Sequence, residues 1–173
     1  MALIKSVRGF TPSFGNDCFL AENATIIGDV TAGNNCTFWF TAVVRGDVNF
    51  IKMGNKVNVQ DGAIIHGTYE TAATTIGNNV SIGHRAMVHG CTIEDNVLIG
   101  MGAIVMDNAR IGSNSIIAAG AVVLENTIVP PNTIYAGIPA KKVKDLEEKH
   151  AKGLIDRIAN NYVKYASWFQ EDE

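Results

Sequence analysis

The stretch that decides the fold is residues 93–135, which read IEDNVLIGMGAIVMDNARIGSNSIIAAGAVVLENTIVPPNTIY. An apolar residue stands at every sixth position from Ile93 to Tyr135, and a small or β-branched residue stands four positions after each of them up to Val129. A six-residue period is neither the 3.6-residue period of a helix nor the spacing of a hairpin. Each unit therefore supplies a short extended piece and a turn. Units must stack, because one unit cannot bury its apolar residue alone.

The same six-residue period covers most of the chain before residue 93. It runs from Leu20 to Phe50 and resumes at Met53 and at Ile76, with Asn, Asp and Gly at the expected bends. We interpret the polar segment 67–75 as a loop inserted into one unit. Between Val88 and Ile93 the step shortens to five residues, which predicts a tightened turn at Gly90.

The C-terminal segment follows a different period. Its apolar residues recur at the i, i+3, i+4 spacing of an amphipathic helix: Ile155, Ile158, Tyr162, Ala166 and Phe169. We predict a helix over about 143–169, with an interruption near Gly153 as an open alternative. The 173 residues then form one domain, with stacked units over about 12–139 and a helix that packs on them or on a neighbouring chain.

Composition narrows the classes of function. Apolar residues make up 47% and charged residues 18%, and the net charge is −3, so we expect one compact domain with a sizeable core. The sequence pI of about 5.8 argues against a nucleic-acid partner. Since no run approaches the roughly 20 apolar residues of a membrane span and no signal peptide is evident, we predict a cytoplasmic location without membrane partners.

The histidines occupy defined positions on the stacked units. His66 and His89 each directly follow the apolar residue of their unit, and they lie one full coil apart if segment 67–75 is a loop. Side chains next to an inward position point outward, so the two imidazoles should lie side by side on the outside. His84 falls on the preceding face, near a corner. It can join such a pair only in a neighbouring subunit, if copies pack around a threefold axis.

The motifs around these histidines resemble those of the gamma-class carbonic anhydrases, in the short bacterial branch of that family. Arg45-Gly46-Asp47 resembles the family's Arg-x-Asp motif, and residues 58–61, Asn-Val-Gln-Asp, resemble its Asn-x-Gln-Asp segment. His66 follows five residues later, and the last element is His84-x-x-x-x-His89. The sequence after the repeats, Ala136-Gly-Ile-Pro-Ala140-Lys, resembles the exit sequence of the wider transferase hexapeptide superfamily.

The resemblance implies a mostly β fold, a left-handed parallel β-helix with a C-terminal helix, assembled as a homotrimer. It implies a metal ion between subunits, bound by His66 and His89 of one subunit and His84 of the next. Zn²⁺ is expected, with Fe²⁺ or Co²⁺ as alternatives. Three neutral imidazoles leave a position open for water, and the hydroxide formed there would attack CO₂ to give bicarbonate.

The resemblance also implies roles for the surrounding residues. Gln60 would orient the bound water or bicarbonate, Arg45 and Asp47 would form an ion pair between subunits, and Asp61 would belong to the same network. Further candidates for the surrounding shell or a proton relay are Asn58, Glu70 and Tyr162. A purely structural interface pair for Arg45 and Asp47, and core packing for Tyr162, remain alternatives.

Two departures from the family pattern bear on activity. Val48 stands where well-studied members carry a glutamate after the Arg-x-Asp motif, and Glu70 is the only acid of the short 67–75 loop. Those glutamates relay protons in the family, so we predict weak activity.

Two other functions stay open. One is acyl transfer or thioester hydrolysis on a coenzyme A thioester in the inter-subunit cleft, although one histidine would suffice for it as a base. The other is a metal-stabilised trimeric scaffold with little activity. We expect the fourth histidine, His150, on a solvated helix face.

Overall fold

The computed structural model describes residues 1–170, apart from the side chains at 148, 150–152 and 170. Within these residues the chain forms twenty short strands and one helix: β1 (Leu3–Lys5), β2 (Ser13–Phe14), β3 (Phe19–Leu20), β4 (Thr25–Ala32), β5 (Thr37–Phe38), β6 (Val43–Met53), β7 (Asn58–Val59), β8 (Ile64–His66), β9 (Thr74–Ile76), β10 (Ser81–Ile82), β11 (Met87–His89), β12 (Thr92–Ile93), β13 (Leu98–Ile99), β14 (Ile104–Val105), β15 (Arg110–Ile111), β16 (Ile116–Ile117), β17 (Val122–Val123), β18 (Ile128–Val129), β19 (Thr133–Ala136), β20 (Lys141–Asp145) and α1 (Glu148–Gln170).

The strands stack in parallel into a solenoid with three faces. The first face contains β3, β5, β7, β10, β13, β16 and β19. The second face contains the first halves of β4 and β6 with β8, β11, β14 and β17, and the third contains their second halves with β2, β9, β12, β15 and β18. Because β4 and β6 continue around a corner, they join the second and third faces into one sheet. The predicted parallel β-helix is confirmed.

The core is a column of the six-residue positions. The inward side chains of the regular coils are at most 1% exposed: Ile93, Ile99, Val105, Ile111, Ile117, Val123 and Val129. Fully burying a side chain of this size stabilises the fold by about 1.5–3 kcal/mol. Asparagines such as Asn96, Asn114 and Asn126 turn the corners at φ of 56–59°, the left-handed region that Asn tolerates better than most residues. The repeat thus encodes both the core and the corners.

The predicted start of the helix at about 143 was wrong. Residues Lys141–Asp145 form β20, which pairs antiparallel with β19 and so closes the first face. The helix begins at Glu148 and continues through Gly153 without interruption. At the other end, β1 pairs with β4, so the solenoid includes residues before the predicted start at 12.

Helix α1 packs on the first face of its own chain. Ile155, Ala159 and Ala166 are buried against it, and Phe169 lies 5.6 Å from the ring of Phe19 and 5.7 Å from that of Trp39. Among residues 1–170, no helix is long and apolar enough to cross a lipid bilayer. The helix therefore covers part of the first face and leaves the second face open.

Candidate metal centre

His66 and His89 form a pair on the second face. They occupy the same register position of β8 and β11, as the coil count predicts. His66 Nδ1 lies 3.1 Å from His89 Nε2, and both rings are partly exposed. We refer to these two residues as the histidine pair.

In each ring of the histidine pair, the far nitrogen, which points away from the other ring, is hydrogen-bonded to a carboxylate. His66 Nε2 lies 3.0 Å from Asp47 Oδ1, and His89 Nδ1 lies 2.5 Å from Asp107 Oδ1. Since an ionised carboxylate only accepts hydrogen bonds, each of these ring nitrogens must be the donor. In the neutral rings the two nitrogens that face each other then both carry lone pairs, and a shared cation would satisfy them.

The surroundings favour these protonation states. Burial raises the pKa of Asp47, but hydrogen bonds from Arg45 and His66 outweigh it and hold that pKa below its usual value. Burial likewise raises the pKa of Asp107, and hydrogen bonds from Thr68 and His89 more than offset it. Burial lowers the pKa of His66 and outweighs the opposing hydrogen bond to Asp47, with the charge of Arg45 adding to the lowering. Asp47 and Asp107 are therefore ionised, and the imidazole of His66 is neutral.

His84 lies apart from the histidine pair, just after β10 on the first face. Its Nδ1 lies 2.9 Å from Asp61 Oδ2, and its backbone N–H donates to Gln60 Oε1 over 3.1 Å. Gln60 is 5% exposed and donates through Nε2 to Asn58 Oδ1 over 2.9 Å. The chain thus brings Asn58, Gln60 and Asp61 around His84.

Tyr162 reaches His84 from helix α1. Its hydroxyl lies 3.3 Å from His84 Nε2. Burial, the charge of Asp61 and the neighbouring Tyr165 raise the pKa of Tyr162 to about 12, so the phenol keeps its proton and can donate it. Beside this contact, α1 and the first face enclose a cleft of about 450 Å³. Its walls are mostly apolar, with Gln60, His84 and Asn161 among its polar lining.

One chain holds the three predicted metal ligands in two separate places, with His66 and His89 on the second face and His84 on the first. Within the described residues, no group of three or more His, Cys, Asp or Glu side chains could hold a metal ion. Arg45 Nη1 and Asp47 Oδ2 lie 2.5 Å apart within the chain, whereas the family resemblance implied an ion pair between subunits. Both side chains project from the same side of β6, which explains the internal pair. Glu70 is exposed in the inserted loop, and the side chain of His150 lies outside the described residues.

Sequence reasoning missed Asp107 and Thr68. Thr68 Oγ1 donates to Asp107 Oδ2 over 2.5 Å, so the second oxygen of that carboxylate is also engaged. The repeat carried a signal for Asp107, because it stands at the corner that lies one coil beyond Gly90. The sequence offered no such signal for Thr68, since the path of the inserted loop does not follow the period.

The fold and the sequence define a hexapeptide-repeat protein. Residues 73–105 and 90–125 match the family described as Bacterial transferase hexapeptide (six repeats). A hexapeptide transferase family protein from Anaplasma phagocytophilum superposes with a TM-score of 0.91 at 36% identity, covering 96% of this chain and 98% of that one.

Curated relatives define the family within that class. A carbonic anhydrase of Geobacillus kaustophilus is 43% identical over 97% of this chain and 91% of its own length. Gamma carbonic anhydrase 2 of Arabidopsis thaliana mitochondria is 37% identical over 90% of this chain and 58% of its own length. The chain therefore belongs to the gamma-class carbonic anhydrase family of hexapeptide-repeat proteins.

Proposed function

We propose that this protein catalyses the reversible hydration of CO₂ to bicarbonate at a metal ion held between subunits of a homotrimer. The observation that carries the proposal is the histidine pair, whose facing nitrogens lie 3.1 Å apart while carboxylates occupy the far nitrogens. His84 of a neighbouring copy would supply the third ligand. The carbonic anhydrases among the relatives support the reaction.

A partly exposed apolar row beside the histidine pair supports the trimer. Its members stand in register on the outside of the second face: Val43, Ile64, Met87, Ile104 and Val122. Ile64 is 38% exposed and Met87 39%. A continuous row of this kind is typical of a protein interface. A second copy that covered it would bring its own surface next to the histidine pair.

The ligand types support zinc. Neutral imidazole is a preferred ligand of Zn²⁺, and it also suits Fe²⁺ and Co²⁺, which stay as alternatives. When bound, such a metal supplies a hydroxide at neutral pH, because it lowers the pKa of its water to about 7.

The chain's own residues hold and orient the site. Asp61 accepts from His84 Nδ1, which leaves Nε2 as the ligand atom. The Tyr162 hydroxyl now donates to that nitrogen, so metal binding requires this hydrogen bond to break. Gln60 is fixed by Asn58 and by the backbone of His84, and we assign it the orientation of bound water or bicarbonate.

Proton export limits the expected rate. Val48 cannot accept a proton, and Glu70 is exposed in a short loop. We therefore propose a slow enzyme with an intact metal site. Its cytoplasmic location stays a prediction from the sequence.

The first test is metal analysis of anaerobically purified protein together with a CO₂ hydration assay on the same sample. We expect about one metal ion per subunit of a trimer and hydration above the buffer background. Retained metal without hydration, in both reduced and oxidised preparations, would refute the enzymatic part and leave the metal-stabilised scaffold.

A mixing experiment tests the site between subunits. His84→Ala and His89→Ala homotrimers should each lose metal and activity. Trimers co-expressed from both variants should regain about one quarter of the sites, because one interface in four then combines an intact His84 with an intact histidine pair. No recovery in mixed trimers of correct mass would contradict the shared site.

The cleft of about 450 Å³ beside His84 favours one second candidate, acyl transfer or thioester hydrolysis. An apolar cleft with a histidine in its lining could hold an acyl chain against a general base. Saturable turnover of an acyl-coenzyme A that survives removal of the metal would support this candidate over CO₂ hydration.

A further inference from the structure

We infer that Asp107 is a positioning residue for the histidine pair: it fixes the ring of His89, and the shortened corner at Gly90 makes room for it. The inference rests on the proposed function insofar as it treats His89 as a metal ligand. The contact itself does not depend on any metal.

Two hydrogen bonds hold the Asp107 carboxylate in place. Oδ1 accepts from His89 Nδ1 and Oδ2 accepts from Thr68 Oγ1, each over 2.5 Å. Thr68 is itself fixed, because its backbone N–H donates to Ala72 O over 2.9 Å and its carbonyl accepts from Asn49 Nδ2 over 3.1 Å. The inserted loop thus contributes directly to the surroundings of His89.

The corner after β11 is one residue shorter than the regular corners below it. Gly90 donates to His66 O over 3.1 Å and accepts from Asn108 N over 2.7 Å. Gly90 alone therefore makes the backbone hydrogen bonds to the preceding coil and to the following coil. Its φ of +53° lies in the left-handed region, which glycine adopts without strain.

The same glycine leaves space for the carboxylate. A Cβ at Gly90 would lie 2.5 Å from Asp107 Oδ1 and 2.7 Å from Ala72 Cβ. Any larger residue would push Asp107 away from His89. The missing residue and the missing side chain act together, so the break in the six-residue period shapes the site.

Asp107 completes a pattern that the other two histidines already show. Asp47 accepts from His66 and Asp61 from His84, and Asp107 does the same for His89. A carboxylate on the far nitrogen of a metal-binding histidine fixes the tautomer and raises the basicity of the ligand nitrogen. Removing such a partner typically lowers metal affinity about 10–100-fold.

The test compares Asp107→Ala with wild type in two measurements. One is the Zn²⁺ dissociation constant, from competition with a chelator. The other is the tautomer of His89 in metal-free protein, from ¹⁵N NMR of the histidine rings. We expect affinity to fall about 10–100-fold and His89 to lose its fixed Nδ1–H form. Asp107→Asn keeps an acceptor and should fall in between.

Glu125 provides a matched control. It stands 18 residues after Asp107, at the same corner of the next coil, and lines the same cavity of about 330 Å³. Glu125→Ala should change neither measurement. An equal loss of affinity in Glu125→Ala would overturn the inference, because it would reduce the effect to local negative charge.

An unchanged Zn²⁺ affinity with an unchanged His89 tautomer in Asp107→Ala would also overturn it. If Asp107→Ala fails to fold, Asp107→Asn and Thr68→Val carry the same two measurements, and Thr68→Val should show the smaller loss. If wild type binds none of Zn²⁺, Fe²⁺ and Co²⁺, the proposed function fails, while the His89 tautomer still decides the role of Asp107.

Discussion

The coils that follow Ile93 in the chain and the coils that carry the histidines are built from the same unit but differ in regularity. After Ile93 each step is six residues and Asn turns most corners. Before Ile93, β6 continues around a corner, a loop interrupts one coil between β8 and β9, and one corner is a residue short. Every predicted metal ligand lies in the irregular part. The regular coils supply a rigid support, and the proposed metal site lies where the repeat is interrupted.

Damage to the regular coils should produce the largest loss of stability. Ile111 is fully buried, so Ile111→Ala should lower the free energy of unfolding by about 2–5 kcal/mol. Ile128, which is 70% exposed on the same face, is the control, and Ile128→Ala should stay within about 0.5 kcal/mol. Chemical denaturation measures both. Equal losses in the two variants would mean that the column of inward residues is not the main source of stability.

The partly exposed apolar row should matter for assembly and little for folding. Met87→Lys removes one apolar side chain from the proposed interface, which should weaken trimer association by about 1.5–3 kcal/mol. Ile128→Lys places the same charge on the third face and should leave association unchanged. Sedimentation across a concentration series measures the dissociation of each variant. Equal weakening by both lysines would place the interface elsewhere.

Alanine substitutions at Gly102, in a regular coil, and at Gly90, at the short corner, separate the cost of backbone strain from the cost of a steric clash. Gly102 has a φ of +66° with nothing within 4 Å of an added Cβ, so Gly102→Ala should cost only the left-handed strain, about 1–2 kcal/mol. Gly90→Ala adds the clash with Asp107 and Ala72, which should cost about 1–3 kcal/mol more. Thermal or chemical unfolding measures the difference. Similar losses in the two variants would show that the short corner has room to spare.

The sequence predicted the regular part of the fold well because there one period determines burial, register and corner chemistry together. The same count placed His66 beside His89, since the inserted loop adds residues without changing the face on which the next strand lies. The prediction of the helix start at about 143 failed, because Lys141–Asp145 completes a sheet edge that no helical or six-residue period encodes.

At the site, the sequence indicated which residues belong to each part but not all of their partners. The family resemblance put Gln60 and Asp61 in the surroundings of the proposed metal, and both lie beside His84. Thr68 could not be placed, because its contact with Asp107 depends on how the loop folds back. The internal pairing of Arg45 with Asp47 depends on side-chain conformation, which spacing alone does not determine.

Removing the Tyr162 hydroxyl should have the smallest effect, and the direction in which it changes Zn²⁺ affinity is informative. The Tyr162→Phe variant loses only the hydroxyl that contacts His84 Nε2 and keeps the ring, whose centroid lies 5.3 Å from that of Trp39. Metal-free protein should lose about 0.5–1.5 kcal/mol of stability. Zn²⁺ should bind slightly more tightly, since no hydrogen bond to the ligand nitrogen has to break first. Tyr165→Phe, which alters another tyrosine of the same cleft, is the control for titrations of both variants with Zn²⁺. Weaker binding in Tyr162→Phe alone would mean that the hydroxyl supports the bound metal and that helix α1 belongs to the site.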